Sequence, residues 1–245
     1  MALTKVGRGL LNTSIVDNGN ATAITIDSSE NVGIGTGTPS KDFVVSNGGA
    51  EGFEIDAGAL TNLTEVLSYN RSTSAWNALR TGASQHEFYV SGTERLRLDA
   101  AGRVTMPYQP AFLAKPASYQ NNIATSIPVT VVLGTEVFDQ GANFASNTFT
   151  APVTGKYQFN WAVDCGPVDN DAVYMFVTLI TSNRSYRTII DPAGFDEDPT
   201  YWSFNGAALA DMDAGDTAYI SIYQGAGAAQ VDIFTETYFS GYLVA

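Results

Sequence analysis

The chain has little of several residue types that usually carry chemistry or covalent cross-links. Its 245 residues include one cysteine, Cys165, and one histidine, His86. A lone cysteine cannot form a disulfide within the chain, and we expect it to be a small buried side chain. A Ser/His/Asp triad would have to be assembled around His86 in a short strand pattern, which is an unfavourable position for catalysis. We therefore predict a protein that is not an enzyme.

Long apolar runs are also missing. No stretch approaches the roughly 18 consecutive apolar residues of a membrane span, and residues 1–5 lack the hydrophobic run of a secretory signal. We expect a chain that is made in the cytoplasm and does not insert into a membrane. A role outside the cell would then need another route, such as assembly into a particle released by lysis.

Positive charge is scarce, with 12 Lys and Arg against 25 Asp and Glu and a net charge of −13. The imbalance is concentrated in residues 109–245, which carry 14 acids and 4 bases, whereas residues 1–108 carry 11 and 8. An acidic surface repels phosphates, so we expect no nucleic-acid partner. Solubility of an exposed particle component is an alternative explanation of the charge.

Residues 21–108 contain a weak internal repeat. An Ile-Thr-Ile-Asp pattern at 24–27, followed by Val32, recurs as Leu-Arg-Leu-Asp at 96–99, followed by Val104. All five positions are offset by 72 residues. Apolar and polar residues alternate in both copies, and no helical period is sustained, which predicts strands throughout this half.

Each copy of the repeat predicts two strands joined by a tight turn. Asp27 and Asp99 would start the turns, because an aspartate side chain can bond to the backbone that follows it. Asn31 and Gly102 are predicted to take the left-handed conformation that such a turn needs.

Short polar strands in residues 21–108 cannot bury a sufficient core in one chain. Three intertwined copies would solve this problem, because their apolar faces could point at a common axis. The phrases at 24–36 and 92–99 look like the shaft modules of tailed-bacteriophage fibres and spikes. This resemblance implies a homotrimeric β-structured shaft.

The second half has longer and stronger strand patterns. The pattern of residues 149–161 predicts a strand end, a Pro/Gly turn and a new strand. Alternation in this new strand would place Tyr157, Phe159 and Trp161 on one face. Together with the turn at 212–216 and the ending at 239–244, this pattern resembles the globular head of the complement-1q and tumour necrosis factor superfamily. The resemblance implies a jelly-roll β-sandwich that assembles as a homotrimer. No Gly-X-Y tract is present, so a β shaft stands where a collagen stalk would be expected.

The sequence thus predicts an all-β protein with three parts. Residues 1–20 would attach to tail or baseplate proteins of a virion, residues 21–108 would form the shaft, and residues 109–245 would form the head. The predicted function is that of a bacteriophage tail fibre, located in the virion tail, whose head binds a host surface receptor, expected to be a glycan. Two alternatives remain: a structural virion component without receptor affinity, and a polysaccharide depolymerase.

Acidic residues cluster in two predicted loops of the head. One group comprises Asp191, Asp196, Glu197 and Asp198, and the other comprises Asp164, Asp169 and Asp171. Jelly-roll connectivity would bring the loops at 166–171, 192–201 and 225–230 together at an apex. Oxygen clusters of this kind suit calcium, and carboxylate pairs suit a glycosidase, but neither spacing matches a known compact motif. Solvated charge is the simpler explanation.

Aromatic residues flank the same loops, and carbohydrates stack on such rings. The rings in question are Tyr174, Tyr186, Tyr201 and Trp202, although they could instead fill the sandwich or a trimer interface. We predict no catalytic residue and no cofactor, and bound calcium remains an alternative. The predicted receptor-binding residues are Asp169, Asp171, Asp196, Glu197, Asp198 and Trp202.

Overall fold

A computed structural model describes residues 14–16, 22–48 and 51–245. The regular elements of the described residues are strands apart from one 3₁₀ turn, Pro192–Gly194, which confirms the all-β prediction. No helix in these ranges has the length and apolar character to cross a membrane. Most of the predicted attachment segment, residues 1–20, lies outside the described residues. The chain divides into two compact units, residues 1–83 and 84–245.

The first unit contains one seven-stranded sheet whose strands follow one another in chain order. Its strands are β1 (Ser14–Val16), β2 (Thr22–Ile26), β3 (Val32–Ile34), β4 (Phe43–Asn47), β5 (Glu51–Leu60), β6 (Leu63–Asn70) and β7 (Ala75–Trp76). Strands β3 and β4 are parallel, and the other neighbours are antiparallel. Val44 and Pro39 are the only buried apolar side chains among the residues of this unit whose burial is described.

The second unit begins with a small three-stranded sheet. Its strands are β8 (His86–Val90), β9 (Thr93–Leu98) and β10 (Val104–Thr105), in the order β10-β9-β8. Strands β8 and β9 form an antiparallel hairpin. His86 is half-buried in β8. Residues 84–108 fall in the same compact unit as the strands that follow, and the functional division at residue 108 stays a prediction.

Two further sheets pack face to face and form a sandwich. The first, called the β16 sheet, contains β13 (Thr135–Gln140), β11 (Ala111–Lys115), β22 (Tyr238–Leu243), β16 (Gly155–Gly166) and β19 (Trp202–Met212) in that order, with β21 (Asp232–Ile233) also paired to β16. The second, called the β20 sheet, contains β14 (Phe144–Ala145), β15 (Thr148–Thr150), β20 (Thr217–Gly225), β17 (Tyr174–Thr181) and β18 (Ser185–Ile190), with β12 (Val129–Thr130) also paired to β20. All pairings in both sheets are antiparallel.

The core lies between these two sheets. As predicted, Tyr157, Phe159 and Trp161 lie on one face of β16 and are buried there. Cys165 continues the same row and is also buried. Burial, with a smaller contribution from the neighbouring Asp164 carboxylate, raises the pKa of the Cys165 thiol to about 12. The cysteine is therefore a packing residue and not a reactive thiolate.

The two repeat copies fold as matching hairpins. The Asp27 side chain accepts hydrogen bonds from the backbone N–H groups of Ser29 and Asn31 at 2.8 and 3.0 Å. The Asp99 side chain accepts from those of Ala101 and Arg103, both at 2.9 Å. The predicted role of both aspartates is confirmed.

One detail of the turn prediction is wrong. Gly102 has the expected left-handed conformation, but in the first copy Glu30, with φ of 70°, takes this position and Asn31 does not. Glu30 is the residue 72 positions before Gly102. Asn31 instead donates its side-chain amide to Asp27 at 3.0 Å, so its polar group stabilises the turn from the next position.

Two strand predictions also need correction. The pattern at 231–244 predicts one strand, but a turn separates β21 from β22, with the Thr237 N–H donating to the Phe234 carbonyl oxygen at 3.2 Å. Asp164, predicted to lie in an acidic loop, lies within β16. The strand continues past it because Asp164 pairs with Ser203 of β19.

Candidate functional site at the loop apex

Three loops meet at one end of the sandwich and are called the apex here: residues 166–171, 192–201 and 225–230. The Val168 N–H donates to the Pro199 carbonyl oxygen at 2.8 Å, which joins the first loop to the second. The Ala229 N–H donates to Asp169 Oδ2 at 2.6 Å, which joins the first loop to the third. The expectation that these loops lie together is therefore confirmed.

Asp169 does not face outward as the sequence suggested. Its side chain is 3% exposed, and its other carboxylate oxygen accepts the Asp171 N–H at 2.9 Å. A buried carboxylate is stabilised by such bonds. Asp169 therefore holds the first and third loops together, and its carboxylate is not presented to a ligand.

We expect Asp169→Asn to destabilise the head by about 2–3 kcal/mol, because hydrogen bonds to a charged group are worth about 1.5–3 kcal/mol. An amide can accept through only one atom, so one loop N–H would lose its partner. Thermal unfolding and hydrogen exchange of residues 225–230 measure the effect. Asp171→Asn is the matched control, because Asp171 is exposed. Equal stability of the two variants would contradict the conclusion that Asp169 holds the first and third loops together.

Gln224 is a second organising residue, and sequence reasoning missed it. It is fully buried at the end of β20. Its amide nitrogen donates to the carbonyl oxygens of Ala226 and Ala229 at 3.2 and 2.6 Å, and its oxygen accepts the Val231 N–H at 3.1 Å. These bonds fix a loop of small residues in one conformation. A fixed loop loses little entropy when it binds a ligand.

The remaining predicted acids lie on the apex surface. Asp171, Asp196, Glu197 and Asp198 are all exposed. Asp198 Oδ1 accepts the Asn170 N–H at 2.9 Å, which also ties the first two loops together. No Lys or Arg occurs in the three apex loops. The apex therefore carries an uncompensated negative charge, which favours neutral or cationic ligands over anionic ones.

Trp202 has a mixed position. It begins β19, is partly exposed, and packs between Phe195 and Phe204 at ring-centroid distances of 5.3 and 6.4 Å. Phe204 belongs to the core. Trp202 thus connects the 192–201 loop to the sandwich while leaving part of its ring at the surface.

A second aromatic group at the apex contains two rings that were absent from the sequence prediction. Tyr201 and Tyr119 each pack against Phe234, at centroid distances of 5.8 and 5.2 Å. Tyr201 is 76% exposed and Tyr119 is 53% exposed. Tyr119 and Phe234 were missed because they lie far from the acidic loops in sequence. The turn before β22 and the bridge between Gln120 and Ile233 bring them there.

Two of the other predicted aromatics lie elsewhere. Tyr174 stacks on Phe176 and Tyr223 at centroid distances of 6.0 and 5.5 Å on the outer face of the β20 sheet. Tyr186 packs against the core. Within the described ranges, no three Asp, Glu, His or Cys side chains are placed to hold a metal ion. The site as described is therefore a carboxylate and aromatic surface on preorganised loops.

The antiparallel two-sheet sandwich with this strand order is a jelly roll. The sequence profile of the C1q domain matches residues 111–244, and the chain belongs to the C1q domain family. Domains of this family are generally non-enzymatic binding modules, and they typically form homotrimers.

A search of solved structures found similar chains. The globular domain of zebrafish complement 1qA is similar with 18% identity and a TM-score of 0.42, covering 56% of this chain and 98% of the zebrafish domain. Murine APRIL, at pH 8.0, is similar with 16% identity and a TM-score of 0.41, covering 56% of this chain and 99% of its own. A search of curated proteins found no match.

Proposed function

We propose that this protein is a homotrimeric, non-enzymatic tail fibre of a bacteriophage, and that the apex of its head binds a receptor on the host cell. The observation that carries the proposal is the apex itself. Three loops, fixed by Asp169 and Gln224, present exposed carboxylates and the ring of Tyr201 on one surface. Such a surface can bind sugar hydroxyls and stack on a sugar ring.

The outer face of the β16 sheet supports the trimer. One cross-strand row contains Leu209, Gln158 and Tyr242, and a neighbouring row contains Leu113 and Phe138. Leu209, Tyr242 and Phe138 are about half exposed, at 53%, 47% and 49%. A soluble protein rarely leaves such rows uncovered, and neighbouring copies of the chain would cover them.

The first unit supports the same assembly. Its sheet exposes several apolar side chains, among them Ile26, Phe53 and Val66, at 51%, 37% and 53%. Only Val44 and Pro39 are buried among its apolar residues whose burial is described. If three copies of the chain buried these apolar side chains against one another, each Å² of apolar surface would contribute roughly 25 cal/mol. This burial would provide the stabilisation that a single sheet lacks.

Trimerisation gives the proposed mechanism of attachment. Three identical apices on one particle component present three weak sites, and simultaneous binding raises the overall affinity without new contacts. Residues 1–20 would bind the tail or baseplate, which places the protein in the virion tail after synthesis in the host cytoplasm. This last assignment rests on composition and position in the chain.

Competition for phage adsorption tests the proposal. Free protein should block adsorption of a phage that carries it, and the variant Asp196→Asn/Glu197→Gln should need at least tenfold higher concentration for the same block. The matched control is Asp211→Asn/Asp213→Asn, which removes the same charge from exposed acids at the opposite end of the head. Native mass by light scattering checks that all three proteins remain trimers.

Each other outcome has a defined meaning. A trimer that never competes for adsorption would support a structural virion component instead. Equal losses from both double variants would show that net charge acts and that the apex has no special role. New reducing ends on host polysaccharide would favour a depolymerase. A stable monomer would remove the fibre assignment.

A further inference from the structure

Arg71 lines two small cavities in the first unit. The first, of about 240 Å³, is lined mainly by hydroxyl groups and by Glu54, with Thr36, Thr38 and Ser40 among them. The second, of about 230 Å³, is lined by Tyr69, Trp76, Lys41, Leu67 and Arg71. Both volumes are below the roughly 300–1,000 Å³ of pockets for drug-sized ligands. Each therefore suits a group about the size of one sugar ring.

Glu54 is the centre of the hydroxyl-lined cavity. Its side chain is 1% exposed, although this unit has almost no apolar core. Arg71 Nε donates to Glu54 Oε1 at 2.9 Å, and Arg71 Nη2 donates to the other oxygen. A buried ion pair adds little net stability, because desolvation offsets the attraction. The Glu54–Arg71 ion pair is therefore poorly explained by a contribution to folding stability alone.

The ion pair has a fixed position because of the sheet register. Glu54 lies on β5, opposite Leu67 of β6, and Arg71 follows directly after β6. Ser40 Oγ donates to Glu54 Oε1 at 3.4 Å from the segment before β4. The buried carboxylate thus fixes the positions of Arg71 and Ser40 in the cavity wall before any ligand enters, which is a feature of binding sites.

The second cavity contributes two aromatic rings, a half-buried Tyr69 and an exposed Trp76. Tyr69 and Trp76 meet edge to face at 5.0 Å and 71°, and the Arg71 guanidinium lies 4.8 Å from the centre of the Tyr69 ring. Trp76 is 71% exposed. A large exposed indole that is held by a neighbouring ring is a ready platform for the apolar face of a sugar.

Charge restricts the ligand further. Arg71 is paired with Glu54, and Lys41 is paired with Asp56. The two ion pairs cancel, so the walls carry hydrogen-bonding capacity without net charge. We propose that these cavities form a binding site for a neutral disaccharide, with one ring stacked on Trp76 and the other against the exposed Thr38 and Ser40, while the buried Glu54 holds Ser40 and Arg71 in position. This site is separate from the apex of the head and does not depend on the proposed function.

Titration of the full-length protein with neutral disaccharides tests the site. The probes are lactose, maltose, cellobiose and N,N′-diacetylchitobiose, with glucuronic acid as the charged comparison, followed by saturation-transfer NMR and tryptophan fluorescence. We expect saturable millimolar binding of at least one neutral probe. Trp76→Ala should weaken it at least tenfold, whereas Trp76→Phe should retain it within about threefold.

The double variant Asp211→Asn/Asp213→Asn, whose residues are exposed and lie outside both proposed sites, is the control and should bind the same probe unchanged. The readout is binding of a free disaccharide and not phage adsorption, so failure of this site is distinguishable from failure of the receptor-binding proposal. The inference is overturned if none of the four neutral probes binds below 50 mM, or if glucuronic acid binds more tightly than all of them. It is also overturned if Trp76 is shielded from acrylamide quenching in the assembled protein, because a second copy of the chain would then cover the site.

Discussion

Replacing Gly206 with alanine is expected to lower the free energy of unfolding of the head by about 3 kcal/mol, the upper end of the usual cost of overpacking. Gly206 of β19 lies directly opposite Trp161 of β16. A Cβ atom at Gly206 would lie 2.0 Å from Cζ2 and 2.3 Å from Cε2 of the Trp161 ring. The ring is buried, so it can move only by displacing other core side chains.

Denaturant unfolding of the Gly206→Ala protein measures this effect. Gly194→Ala is the control, because a Cβ atom at that position would meet nothing within 4 Å. It should change stability by less than about 0.5 kcal/mol, as surface substitutions usually do. If Gly206→Ala were equally harmless, the Trp161 ring would have a second position available, contrary to the tight core described above.

The second large effect is expected for Phe112→Ala. Phe112 of β11 contacts Phe144 and Phe149 of the β20 sheet at centroid distances of 4.9 and 5.0 Å, and Phe239 of its own sheet at 5.0 Å. It therefore joins the two layers of the sandwich. Removing a buried phenylalanine ring costs about 3–5 kcal/mol, because the cavity cannot collapse fully.

Thermal unfolding of Phe112→Ala, with Tyr201→Ala as control, measures that cost. Tyr201 has a comparable ring but is largely exposed, so its loss should be nearly neutral for stability. The control also separates folding from binding, because Tyr201 belongs to the proposed apex surface. A small effect at Phe112 would mean that the neighbouring phenylalanines repack into the space.

The parts of the fold that local chemistry determines could be predicted from the sequence. The alternation of apolar and polar residues correctly predicted that Tyr157 and Phe159 lie on the core face of β16. Asp27 and Asp99 of the repeat start their turns as expected. Glu30 could not be predicted in the left-handed position, because asparagine is the better intrinsic candidate and Asn31 lies next to it. In this turn the side-chain hydrogen bond from Asn31 to Asp27 outweighs the preference of asparagine for the left-handed conformation.

The apex could be predicted only in part. Jelly-roll connectivity was sufficient to bring the three loops together, and four of the predicted acids are exposed on them. Sequence could not tell that Asp169 is buried, because its role depends on Ala229, 60 residues away. Gln224 and Phe234 were missed for the same reason. Their functions arise from tertiary contacts that leave no local pattern.

The position of β22 affects how the head can form during synthesis. This strand, Tyr238–Leu243, lies between β11 and β16 and not at an edge, so its pairing with β11 joins residues separated by more than half of the chain. Until Leu243 has left the ribosome, β11 and β16 lack the partner that connects them, and such long-range pairing is slow to form. A chain terminated before β22 would have a gap in the middle of the sheet, so the head has no useful shortened form.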